Sequence, residues 1–129
     1  MTIKRLLVLK NLIFFASILY TLALLTVCLI SLRNLPDVGV SHGDKIFHFL
    51  AYCVFTLLWV YTFILKFNWA KKKAILVAVI VAVLYGILIE VLQGTVTTVR
   101  SFDYYDALAN SLGALITALV LKVKNRITY

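Results

Sequence analysis

Charge is scarce in this sequence. Of its 129 residues, 14% are Asp, Glu, Lys or Arg, where a soluble domain carries about 25%. Acidic residues are scarcer still, five in all. Proline occurs once, at Pro36, and no low-complexity segment is present, so the chain reads as a single domain over residues 1–129. The two cysteines, Cys28 and Cys53, sit at different depths of separate apolar runs. That placement argues against a disulfide and leaves both as small buried hydrophobes. There is no HExxH or CxxC pair, no Gly-rich phosphate loop and no Ser or Cys in a nucleophile elbow. The signatures of zinc peptidases, nucleotide-binding loops and serine hydrolases are therefore missing, and no cofactor is expected.

What is plentiful is apolar surface, contributed by 64% of the residues. A water-soluble protein of this size could not bury it, so the expected class is an all-α, polytopic membrane protein. Four runs, about residues 11–32, 45–65, 74–93 and 103–121, come near the ~20 residues that a helix needs to cross the hydrocarbon core. The first is longer than the ~7–15 apolar residues of a signal peptide and lacks a small-x-small site, so it reads as a retained helix. Pro36, Gly39 and Gly43 break the chain after it, and Ser41 or Asp44 would cap the second helix. Trp59, Tyr61 and Phe63 read as an aromatic belt. Gly94 opens a second loop, with a re-entrant or interfacial element over residues 94–110 as the alternative.

The net charge of +8 is not a nucleic-acid signal. The basic residues lie in short clusters between apolar runs rather than on one face. Residues 1–10, 66–73 and 122–126 hold ten of the thirteen Lys and Arg, while Arg33, Lys45 and Arg100 fall on the opposite side. The positive-inside rule then puts both termini in the cytoplasm of a multi-pass cell-membrane protein. All five carboxylates, Asp37, Asp44, Glu90, Asp103 and Asp106, and both histidines, His42 and His48, gather at or near the outer side. Insertion does not require this, because acidic residues contribute little to topology. A polar outer mouth explains it.

Helical periodicity sharpens that picture. Asp44, His48 and Tyr52 share a face of the second span, with Lys45 one turn from His48. Gly86, Glu90 and Gln93 share a face of the third. Asp103, Asp106, Asn110, Gly113 and Thr117 form a polar-and-small stripe down the fourth, the kind of stripe that lines helix–helix contacts in membranes. The first span shows none. The second, third and fourth spans should therefore converge, with the first packed outside them. Glu90 lies about one turn inside the bilayer edge, where a carboxylate needs a partner. It is either half of a structural ion pair with Arg100 that staples the loop between the third and fourth spans, or a ligand-facing or catalytic group. His48, oriented by a carboxylate, is either a proton-transfer group or an interfacial histidine. Asn110 and Gln93 are either donors to a bound group or interhelical ties. Asp44, His48, Glu90, Asp103 and Asp106 offer hard oxygens and one imidazole to a metal, but no spacing supports one and none is expected.

The same residues carry a resemblance. G-D-K-I-F-H-F-L-A-Y at 43–52 resembles the D-K-x-x-H-F-x-x-Y segment of VanZ-like membrane proteins. Y-G-I-L-I-E-V-L-Q at 85–93 resembles that family's G-x-x-x-E-x-x-Q, and R-S-F-D-Y-Y-D-A-L-A-N-S-L-G at 100–113 its R-x-x-D-x-x-D-x-x-x-N-x-x-G. The resemblance implies signature positions at Asp44, Lys45, His48, Tyr52, Glu90, Gln93, Arg100, Asp103, Asp106, Asn110 and Gly113. It implies a small integral membrane protein and, through the family's namesake, a link to low-level resistance against teicoplanin, an acylated glycopeptide. It implies no particular reaction.

Two functions follow as expectations. The first is binding of an amphiphile at the outer leaflet: a membrane lipid, a lipid-linked cell-wall intermediate or an acylated small molecule. Asp44, Lys45, Tyr52, Gln93, Arg100, Asp106 and Asn110 would contact its headgroup. The second is a hydrolase or transferase at the same place, with Glu90, His48 or Asp103 as general base and Arg100 stabilising developing charge. A transporter would need a polar path that the apolar inner halves of the second and third spans deny to a monomer; an oligomer would have to supply it.

Overall fold

The computed structural model describes residues 2–30, 43–96 and 104–127. Four helices make it up: α1 (Ile3–Leu29), α2 (Gly43–Leu65), α3 (Lys71–Val96) and α4 (Tyr104–Ile127). All four are long and apolar enough to span a bilayer. Their flanks are what lipid demands: Leu12, Leu19, Leu84 and Leu119 each stand more than half exposed. Apolar side chains so exposed would associate in water, whereas acyl chains solvate them.

The helices run past the apolar stretches that announce them. α1 begins at Ile3 rather than near residue 11, because Lys4, Arg5 and Lys10 are good helix formers once they lie beyond the hydrocarbon core. Thr2 caps it, its Oγ1 accepting from the Arg5 amide at 3.3 Å. α3 does not stop at Gly94. It continues to Val96, and the Thr95 hydroxyl donates to the Val91 carbonyl at 2.9 Å, an i−4 bond that a helix tolerates. α4 is a helix of 24 residues. Residues 94–96 and 104–110 are thus the ends of two long helices.

Between α2 and α3 the chain reverses in five residues, 66–70. Asn68 takes the left-handed backbone (φ 57°) that Asn adopts more readily than most residues. Trp69 folds back so that its amide reaches the Phe63 carbonyl at 3.0 Å and its ring stacks on Phe63 with centroids 4.6 Å apart. Lys73 Nζ lies 4.2 Å from the centre of the Trp69 ring. Lys66 Nζ donates to Asn11 Oδ1 at 2.6 Å, bringing the first half of α1 to this turn. The start of α1, the end of α2 and the start of α3 therefore share one end of the bundle.

The aromatic belt expected at Trp59, Tyr61 and Phe63 is corrected in part. Phe63 is buried, and Trp59 packs inward with its indole N–H donating to Thr21 Oγ1 at 3.0 Å. The Thr21 hydroxyl on α1 draws the Trp59 indole inward, and Phe63 is held by ring packing against Trp59 and Trp69.

α2 is the hub. Its most extensive interface is with α4, and it also packs on α1 and α3, while α3 packs on α4. α1 touches α2 and, more lightly, α3, and among the described residues it does not reach α4. Small residues permit this closeness. Ala74, Ala78 and Ala82 are fully buried and, with Gly86, form a stripe of four-residue period on α3. A Cβ at Gly113 on α4 would collide with the Phe49 carbonyl oxygen of α2 and lie 3.2 Å from the Cys53 amide nitrogen. The two backbones are in contact there, as small residues allow in membranes.

The expectation that the first span carries no polar stripe is also corrected. Ser17 of α1 is buried and sits 2.7 Å from Thr62 Oγ1, and it donates to the Leu58 carbonyl at 3.2 Å. Tyr20 Oη donates to the Ala51 carbonyl at 2.6 Å. In an apolar medium such polar groups associate with one another because lipid offers them no alternative. Both cysteines are free thiols.

Candidate functional site

α2 and α4 begin, and α3 ends, at the end of the bundle away from the Lys66–Asn11 contact. His48 lies in the second turn of α2, Asp106 in the first turn of α4 and Glu90 in the second half of α3. Antiparallel packing brings these three to one level. One donor atom of each lies within 4.8 Å of the others, and all three side chains are buried. Glu90 has no exposed surface at all.

Asp106 organises the cluster. Its Oδ1 accepts from Lys45 Nζ at 3.3 Å, and its Oδ2 stands 3.5 Å from His48 Nε2. Lys45 retains 28% exposure of its side chain while Asp106 keeps 7%, so the pair grades from the rim inward. His48 is further fixed by an edge contact with the Phe47 ring, centroids 5.6 Å apart.

Below this level lie Tyr52 and Thr56, successive turns of the same α2 face, and Asn110, one turn after Asp106 on α4. All three are buried. Among the described residues, the Tyr52 and Thr56 hydroxyls and both atoms of the Asn110 amide have no hydrogen-bond partner. Asn110 packs against Gly86: a Cβ there would lie 3.0 Å from its Nδ2. Buried polar atoms in proteins are normally satisfied, so this group is unusual.

The structure brings together Lys45, His48, Tyr52, Glu90, Asp106 and Asn110. Gln93 is buried but reaches sideways, its Nε2 donating to the Cys28 carbonyl of α1 at 2.6 Å. Arg100 and Asp103 lie outside the described residues, as does the side chain of Asp44. Thr56 was missed by the sequence reading, although continuing the four-residue ladder from His48 and Tyr52 would have found it.

A separate groove of about 370 Å³ lies between α1 and α2, lined by Tyr20, Leu24, Val27, Phe47, Leu50 and Val54 among others. It is apolar and occupies the face of α2 turned away from His48 and Tyr52.

No curated protein and no solved structure matches the chain. The VanZ/LLP1 family model matches residues 2–125, nearly the whole chain and all three sequence motifs. This four-helix protein, with its buried His–Glu–Asp cluster, belongs to the VanZ/LLP1 family.

Proposed function

We propose that the protein binds the polar headgroup of an amphiphile at the outer face of the membrane, where α2, α3 and α4 converge. The observation that carries the reading is the cluster itself. His48, Glu90 and Asp106 meet within 4.8 Å, above buried Tyr52 and Asn110, whose polar side-chain atoms have no hydrogen-bond partner among the described residues. Burying charge and leaving polar atoms unmatched in a membrane protein opposes stability, and such residues usually serve function. The orientation rests on the distribution of Lys and Arg, which puts the Lys66–Asn11 end in the cytoplasm and the cluster on the outer side.

Lys45 at the rim suits a phosphate or carboxylate, and Arg100 joins it in this reading. The apolar groove on the other side of α2 suits an acyl chain, since its Phe47 and Val27 lie toward the cluster's end of the bundle. A lipid headgroup, a lipid-linked cell-wall intermediate and a lipoglycopeptide all combine these two parts. The last would connect the chain to the teicoplanin resistance that the family resemblance implies.

Binding of a fluorescent lipoglycopeptide and of labelled anionic lipids to the protein in nanodiscs tests this. Glu90→Ala, Asn110→Ala and Arg100→Ala are expected to weaken the bound ligand at least about tenfold, the loss of about 1.4 kcal/mol. Unchanged affinity for every ligand in all three variants defeats the reading.

A second reading rests on the 3.5 Å approach of His48 Nε2 to Asp106 Oδ2. That pair has the form of a general base oriented by a carboxylate. Turnover of labelled headgroup lipids by the purified protein, abolished in His48→Ala, would establish an enzyme. Binding without any product would reject it.

A further inference from the structure

We propose that His48, Glu90 and Asp106 form a site for a divalent transition-metal ion of the zinc or manganese class. The donor geometry is close to what such an ion needs. His48 Nε2 and Asp106 Oδ2 are 3.5 Å apart, near the ~3.4 Å edge of a tetrahedron with bonds of about 2.1 Å. Glu90 offers a donor atom within 4.8 Å of both, so small side-chain rotations close the set.

Charge supports the same conclusion. Two carboxylates brought together at this burial repel each other and lose their hydration. Lys45 meets Asp106 at Oδ1, and Oδ2 is turned toward His48. A second-layer cation or donor holding the free oxygen of a ligating carboxylate is a recurrent feature of metal centres. A dication shared by Glu90 and Asp106 turns their mutual repulsion into attraction to a common ion.

An independent observation comes from the floor of the cluster. Helical side chains lean toward the N-terminus of their helix. α2 and α4 both start at this end, so Tyr52 and Asn110 lean toward the turns that carry His48 and Asp106. Asn110 also abuts Gly86, one turn before Glu90. Their polar atoms, buried and without partners among the described residues, are placed to hydrogen-bond an oxygen completing the ion's shell. The mixed set of one imidazole and two carboxylates selects the class: calcium and magnesium take oxygen ligands, copper(I) prefers thiolates, and neither cysteine belongs to the set. The absence of HExxH spacing is no objection, because each ligand comes from a different helix.

The inference stands apart from the headgroup reading, since metal is measured with no amphiphile present. Full-length protein in detergent, stripped with a chelator and dialysed, is titrated with zinc, manganese and cobalt chlorides and assayed by elemental mass spectrometry. About one ion per chain is expected, with cobalt giving visible absorption bands. Glu90→Gln, which keeps the side chain's shape, and His48→Ala should each weaken binding at least about tenfold. His48→Ala should also abolish the cobalt bands. His42→Ala and Lys66→Ala should change neither. Circular dichroism and a monodisperse elution profile establish that each variant is folded. Lack of saturable uptake by the wild-type protein overturns the proposal, and so does uptake that Glu90→Gln leaves intact. If a variant does not fold, the wild-type and His42→Ala titrations decide: a single saturable site with cobalt bands in both supports the assignment, and their absence refutes it.

Discussion

At the level of single residues, the two interhelical glycines make opposite demands on their neighbours. A methyl group at Gly113 meets backbone atoms of Phe49 and Cys53 on α2, which cannot move without parting the helices. Gly113→Ala is therefore expected to destabilise the protein by about 1–3 kcal/mol, the usual range for overpacking, seen as a lower thermal midpoint in detergent. At Gly86 the new atom meets the Asn110 side chain, 3.0 Å from Nδ2 and 3.1 Å from Cβ; rotation moves the amide, and a shift of a few tenths of an ångström between α3 and α4 relieves the rest. Gly86→Ala should be the milder of the two in the same measurement; an equal or larger loss would show that Asn110 is held rigidly. Asn110 itself makes no hydrogen bond among the described residues. Removing an unmatched buried amide relieves a desolvation penalty, so Asn110→Ala should lower stability by less than about 1 kcal/mol while impairing ligand binding. A large loss of thermal stability would instead make Asn110 a structural tie.

At the level of the helices, α1 is the element most easily misread. By composition it is nearly uniform grease, yet Ser17, Tyr20 and Thr21 fasten it to α2. Gln93 adds a bond from α3. A double-mutant cycle between Ser17→Ala and Thr62→Ala should give a coupling near 0.6 kcal/mol, the average for interhelical hydrogen bonds in membranes. Zero coupling would mean that both hydroxyls are satisfied by their own helix carbonyls, as Ser17 already partly is through Ile13 at 2.9 Å. The apolar run that marked α1 was legible because a bilayer imposes it. The tie was not, because a lone Ser or Thr in a membrane helix bonds equally well to its own backbone.

For the molecule as a whole, the charge distribution and the packing agree. Lys66 meets Asn11 at the end that also holds Lys71, Lys72 and Lys73, and the carboxylate cluster lies toward the other end. In a background with both native cysteines replaced, Lys72→Cys should react with a membrane-impermeant maleimide in inverted vesicles and not in intact cells. Labelling of intact cells would reverse the orientation and move the cluster to the cytoplasmic face.

The bilayer made much of this architecture readable in one dimension. Four spans, their order and the polar faces of α2, α3 and α4 follow from local rules, a minimum apolar length and a repeat of about 3.6 residues. Those rules picked out His48, Glu90, Asp106 and Asn110 before any contact was known. Packing alone decided that these faces meet at one level, that Gln93 turns to α1 and that Trp59 and Phe63 point inward. Each of those depends on how one helix is rotated and shifted against another, which is set by distant close approaches such as Gly113 on Phe49. No periodicity within a single helix encodes a relation between two.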